Sequence, residues 1–236
     1  MDKIILKRDN VKITNENNKI FNIEFKFSSY SLINSLIKTR IIQGGSTDDR
    51  YKNIIFKASS VKTLEEYQSD KMRIQGKKNI LISDIAKMVR TLSMQLNYLI
   101  SRESSTIIGY NPADIIVIND EKFAFIGSEL VSNIDCTMTT ISCPFSTNDF
   151  FISPELLNIR EIPSKVHFKV AYFSLALLLI YMLLADDEFY IEYLKHKHPE
   201  KILDSLNSHP IKNTRIFWLL SRCLVEDPKS RSIILI

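Results

Sequence analysis

The spacing of hydrophobic positions changes along this chain from a two-residue to a three-and-a-half-residue repeat. From Phe21 to Phe27 the odd positions are apolar and the even ones polar, the repeat of a half-buried strand. Short strands are predicted at residues 3–7, 11–14 and 20–27. Asp9-Asn10 and the stretch from Asn15 to Asn18 supply turn residues between them. Leu32, Ile33, Leu36 and Ile37 fall at helical spacing, so a short helix is expected over 30–41. Residues 44–50 read as a polar loop and 53–58 as another apolar strand.

Beyond residue 60 the helical repeat dominates. Thr63 is the expected cap of a short helix over 63–69. Ile82, Ile85, Val89, Leu92, Leu96 and Leu99 form one apolar stripe on a long amphipathic helix over 82–102. Residues 115–118 and 123–126 flank Asn119-Asp120-Glu121-Lys122 and predict a hairpin. An irregular stretch is expected from 128 to 154. Residues 170–185 run for 16 positions without a charge. That length is short of the roughly 20 residues of a membrane span, which favours a helix buried on all sides. A last amphipathic helix over 214–225 is stopped by Asp227-Pro228. On it Phe217, Trp218, Leu219 and Leu220 read mainly as core.

Composition narrows the classes of function. The chain has 236 residues, 45% hydrophobic and 25% charged, with a net charge of +4. That is a globular composition, and the charge excess gives no argument for nucleic acid or an anionic membrane. The five glycines are Gly44, Gly45, Gly76, Gly109 and Gly127, which excludes a Walker A loop or an N-terminal GxGxxG loop. Cys136, Cys143 and Cys223 lack metal-ligand spacing. With Met1-Asp2-Lys3 showing no signal-peptide pattern, they read as reduced thiols of an intracellular protein. The 35 Ile against 7 Ala suggest an AT-rich coding sequence and say nothing of function. His196 and His198 are two apart in a lysine-rich run and read as a solvated charge run, while His167 and His209 are isolated.

Several local sequences occur in an order that resembles the protein kinase fold. Residues 53–69 resemble a last N-lobe strand, a hinge and a first C-lobe helix. The helix over 82–102 ends in Asn97-Tyr98-Leu99, similar to the helix before a kinase catalytic loop. Ser153-Pro154-Glu155 resembles the A-P-E motif, and Ser174-Leu175-Ala176 resembles S-L-G. Leu224 to Arg231 is similar to L-x-x-D-P-x-x-R. The likeness covers most of the chain, best from 53 to 231. It implies an α+β, protein-kinase-like bilobal fold with a small, reduced, β-rich N-lobe (1–60), a mostly helical C-lobe (61–236) and a truncated final helix. It also implies an ion pair between Glu155 and Arg231.

The residues of phosphoryl transfer do not follow that likeness. A kinase uses a catalytic Asp, a metal-binding Asn and Asp, and a strand Lys on the phosphates. Here the H-R-D slot reads Ile107-Ile108-Gly109, Asn111 stands for the loop Lys, and Asp114 for the metal-binding Asn. The D-F-G slot reads Gly127-Ser128-Glu129. Gly109, Asn111, Asp114 and Gly127 are thus degenerate positions. Lys26 is a weak candidate for the nucleotide lysine, against a solvent-facing Lys. Asp114 and Glu129 are weak metal candidates, against a solvated turn Asp. The 30–41 helix has no Glu to pair with Lys26, and no cofactor is expected.

The implied function is a catalytically inactive, kinase-like domain that binds another protein. Tyr190, Tyr193, Lys195 and Lys197 are the candidate interface. Neither nucleic acid nor membrane is expected as a partner. A divergent active Ser/Thr protein kinase or other nucleotide-dependent transferase is the alternative. A membrane-anchored interaction protein spanning at 170–185 is the second.

Overall fold

The computed structural model describes residues 3–17, 19–75, 82–144, 151–184, 202, 204, 206–207 and 209–233. It is a mixed α+β structure built from antiparallel sheets. The first is five-stranded. It contains β1 (Lys3–Lys7), β2 (Val11–Asn17), β3 (Ile20–Phe25), β4 (Ser46–Thr47) and β5 (Asn53–Lys57) in the order β1-β2-β3-β5-β4. Helix α1 (Tyr30–Lys38) lies between β3 and β4 in sequence. Phe21 pairs with Phe56 and Ile23 with Ile54 across β3 and β5, so the two-residue repeat puts all four on the buried face. With Leu32, Ile33 and Leu36 of α1 they join one core that extends to Leu224.

Helix α2 (Leu64–Gln75) follows β6 (Val61–Thr63). Its start is a reciprocal cap. Glu66 N donates to Thr63 Oγ1 at 3.1 Å, and Thr63 N donates to Glu66 Oε2 at 2.9 Å. Strand β6 pairs with β8 (Ile115–Ile118), which pairs with β9 (Lys122–Phe125). Helix α3 (Ile82–Arg102) buries its apolar stripe from Ile85 to Leu99 beneath this hairpin, while Ile82 at its start is exposed. It also supplies side chains that complete the β9 edge. Phe125 N donates to Gln95 Oε1 at 2.9 Å, and Gln95 Nε2 donates back to Phe125 O at 2.9 Å. Gln95 reaches Ser35 Oγ of α1 at 3.2 Å as well. A fully buried glutamine is thereby satisfied by partners on two other elements.

The region expected to be irregular holds regular structure. Strands β10 (Val131–Asp135) and β11 (Met138–Ile141) form a hairpin, turned by Cys136 at φ 56°. They join β7 (Ser105–Ile107) and β12 (Ser164–His167) in a four-stranded sheet ordered β12-β11-β10-β7. This sheet is half exposed and carries Thr, Ser and Asn, so it lacks the apolar run that marks a strand in sequence. The expected loop over 44–50 likewise contains β4, which pairs with β5.

After α4 (Pro154–Leu157), helix α5 (Val170–Leu184) has 13 buried residues, among them the whole run Val170–Ile180. At 1.5 Å per residue it is about 22 Å long. Among the described residues no helix is long and apolar enough to cross a membrane. Helix α6 (Arg215–Cys223) begins at Thr214, whose hydroxyl accepts from Phe217 N at 3.3 Å. Phe217, Leu219 and Leu220 are buried as expected, but Trp218 is 55% exposed. Successive helical residues are about 100° apart, so four adjacent ones cannot share a face.

Candidate functional site

The β8–β9 hairpin brings the degenerate positions together. A 3₁₀ turn over Pro112–Asp114 leads into β8, with Asn111 capping it by accepting from Ala113 N at 2.9 Å. Ile126 N donates to the Asp114 carbonyl at 2.9 Å, which places Gly127 against the Asp114 side chain. A Cβ on Gly127 would lie 2.8 Å from Asp114 Oδ2 and 2.8 Å from Phe125 Cζ. The Gly127 backbone has φ −75°, so it is space and not conformation that requires glycine here.

Asp114 is not the solvated turn residue that its sequence context suggests. Its side chain is 3% exposed, and it accepts a short hydrogen bond from the Arg8 guanidinium. Arg8 follows β1 and opens the β1–β2 turn, where its N–H donates to Val11 O at 2.9 Å. Its side chain is 34% exposed, so the contact runs from solvent into the interior. Burial pushes the Asp114 carboxyl up to about 7. Arg8 pulls it down, but burial outweighs that pull and the Glu129 charge adds to the rise. Glu129 is exposed on the 3₁₀ turn Ser128–Leu130.

The remaining candidates are dispersed. Ile107, Ile108 and Gly109 are buried, and the Tyr110 ring that follows packs edge-on to Phe125 at 5.2 Å. Lys26 lies just past β3 and is exposed. Its ammonium stands 5.5 Å from the Phe27 ring centroid and makes no ion pair among the described residues. The inward positions beside it, Ile23 and Phe25, are apolar. Tyr190, Tyr193, Lys195 and Lys197 lie outside the described residues, as do His196 and His198. Among the described residues no group of three or more His, Cys, Asp or Glu is arranged to hold a metal ion. A cavity of about 810 Å³ opens between β1 and α2, lined by Ile4, Ile5, Phe21, Ser60 and Glu66, and neither Asp114 nor Gly127 lines it.

Glu155 and Arg231 meet as the resemblance implies. The Arg231 side chain is fully buried, and both of its terminal nitrogens donate to the Glu155 carboxylate. Its Nε donates to Val225 O at 2.7 Å and Nη2 to Glu226 O at 2.9 Å. The guanidinium lies 4.8 Å from the Phe173 ring centroid of α5. One arginine thus ties α4, α5 and the segment after α6 together.

Sequence reasoning passed over Arg8 and Gln95. Arg8 lies in the β1–β2 turn, and nothing in its own neighbourhood of the sequence points to Asp114. Gln95 lies on the polar edge of the α3 stripe, and only the fold shows that β9 runs beside it. No protein-family model matches the chain, and no curated protein matches it.

Proposed function

We propose that this chain is a degenerate protein-kinase-like domain that has lost phosphoryl transfer and works by binding another protein. The contact between Arg8 and Asp114 carries the reading. Asp114 stands at a position where a kinase holds magnesium, and here it is held by the chain's own cation. A guanidinium there supplies the positive charge that a metal ion would bring, and it repels that metal. Gly127, at the other metal position, has no room for a side chain beside Asp114. The order of the five-stranded sheet, with a helix between β3 and β4, supports the kinase-like part, as do the buried α5 and the Glu155–Arg231 pair.

The test is calorimetry of the wild-type chain with ATP and magnesium, paired with melting in the same buffer. Neither heat of binding nor a rise in Tm is expected. A magnesium-dependent affinity in the micromolar range would overturn the reading. It would favour the divergent transferase, for which the electrostatic coupling of Glu129 to Asp114 is the supporting observation.

A further inference from the structure

Helices α3 and α6 meet at a second concave site, far in sequence from the degenerate positions. A cleft of about 430 Å³ lies between them. Its walls are apolar (Ala86, Val89, Ile216), and Lys87, Arg90 and Arg215 stand around it with no carboxylate in the lining among the described residues. Lys87 is shared with Asp84 at 3.5 Å. Arg90 and Arg215 make no ion pair among the described residues and are exposed. The same face of α6 continues outward. Arg215, Trp218 and Arg222 are three and four residues apart and therefore stack along one side. All three are exposed, Trp218 by 55%.

We propose that this face is a docking surface for an acidic protein segment that inserts one apolar side chain into the cleft. Two exposed arginines beside an exposed tryptophan are the residue types that dominate binding energy at interfaces. Their charge selects carboxylates. The apolar walls select a protein rather than another polyanion, because neither a phosphodiester backbone nor a headgroup plane offers an aliphatic side chain to fill them. The surface differs from the one expected at Tyr190 and Tyr193. It rests on the reading that the chain acts by binding and makes no use of Asp114 or Gly127, so the two can fail separately.

Trp218 is the chain's one tryptophan, which makes its fluorescence a direct reporter. The experiment titrates the full chain with a panel of 12-residue peptides of Glu and Asp, each carrying a single Leu, Ile or Phe. Saturable change in Trp218 emission is expected, weakened by added salt and at least about tenfold weaker in an Arg90→Glu plus Arg215→Glu protein. That variant changes exposed residues only, and an unchanged Tm shows that it remains folded. An Ile216→Ala variant, expected to weaken binding without altering its salt dependence, checks the apolar pocket separately. Absence of saturation across the panel overturns the proposal, as does equal affinity in the charge-reversed protein. Equal or tighter binding of oligo-dT or of phosphatidylserine vesicles overturns it too, because charge alone would then account for the surface.

Discussion

Asp114 is an acid whose folded environment favours the protonated form. Burial lifts it from the ordinary carboxylate value of 3.8 to about 7 against the pull of Arg8, and Glu129 adds to the lift. Between those two values the folded chain binds more protons at this site than the unfolded chain does. Stability therefore falls as pH rises through the window and levels off above about 7. The expected loss is roughly 1.4 kcal/mol for each pH unit crossed inside the window. Urea unfolding at pH 5 and pH 8 measures it, and an Asp114→Asn protein should lose most of this dependence. Identical slopes in the two proteins would assign the pH effect elsewhere. Arg231 presents the opposite case, a buried charge with all three guanidinium nitrogens donating. Arg231→Ala should cost about 3–5 kcal/mol, because Glu155 and two carbonyls lose their partner together. Arg231→Lys should recover little, since an ammonium cannot bridge both carboxylate oxygens. Glu155→Gln should cost less than Arg231→Ala, because the Glu155 side chain is 23% exposed to water. Near-normal unfolding midpoints in all three would remove the pair from the list of structural ties.

Helix α2 shows what a local signal can deliver. Thr63 was legible as a cap because a hydroxyl before a helical run is the ordinary solution for orphan N–H groups, and Glu66 completes the box. Thr63→Ala should destabilise the chain by about 1 kcal/mol, and a Thr63→Ser protein should retain most of the cap. Thermal unfolding of the pair checks it, with equal losses counting against the box. The strands of the first sheet, the stripe of α3 and the buried run of α5 were legible for a similar reason: each carries its period within its own residues. Strands β10, β11 and β12 were not. Their residues alternate weakly, half exposed, and β10 pairs with β7 from more than twenty positions away. Such pairing is a property of the fold and leaves no local trace. Asp114 failed in the sequence for the same cause. Nothing near it in the chain announces that Arg8, 106 residues earlier, closes over it.

At the scale of the molecule, elements far apart in sequence are fastened together by contacts of different chemistry. Gln95 links α1 to β9, Lys122 donates to the Arg40 carbonyl at 2.6 Å, and Arg8 reaches Asp114. On the kinase-like reading we propose, the last of these lies where phosphates and metal would otherwise sit. Here the side chains themselves complete the electrostatics. Restoring one acidic residue should therefore not restore a metal site. A Gly127→Asp protein must fit a Cβ where Asp114 and Phe125 already stand at 2.8 Å. It must also hold a second carboxylate beside one that burial already keeps partly protonated at neutral pH. Overpacking alone costs about 1–3 kcal/mol. Gly127→Asp is expected to be less stable than wild type and to bind no magnesium-ATP. Adding Arg8→Ala should relieve neither defect, because the collision lies within the β8–β9 hairpin and does not involve Arg8. Calorimetry with ATP and magnesium on the single and double variants, beside urea unfolding of each, decides the matter. Magnesium-dependent binding that appears only when Arg8 is removed would mean that the arginine masks a competent site. In that case the turn between β1 and β2 acts as a gate, and the chain is an enzyme held shut.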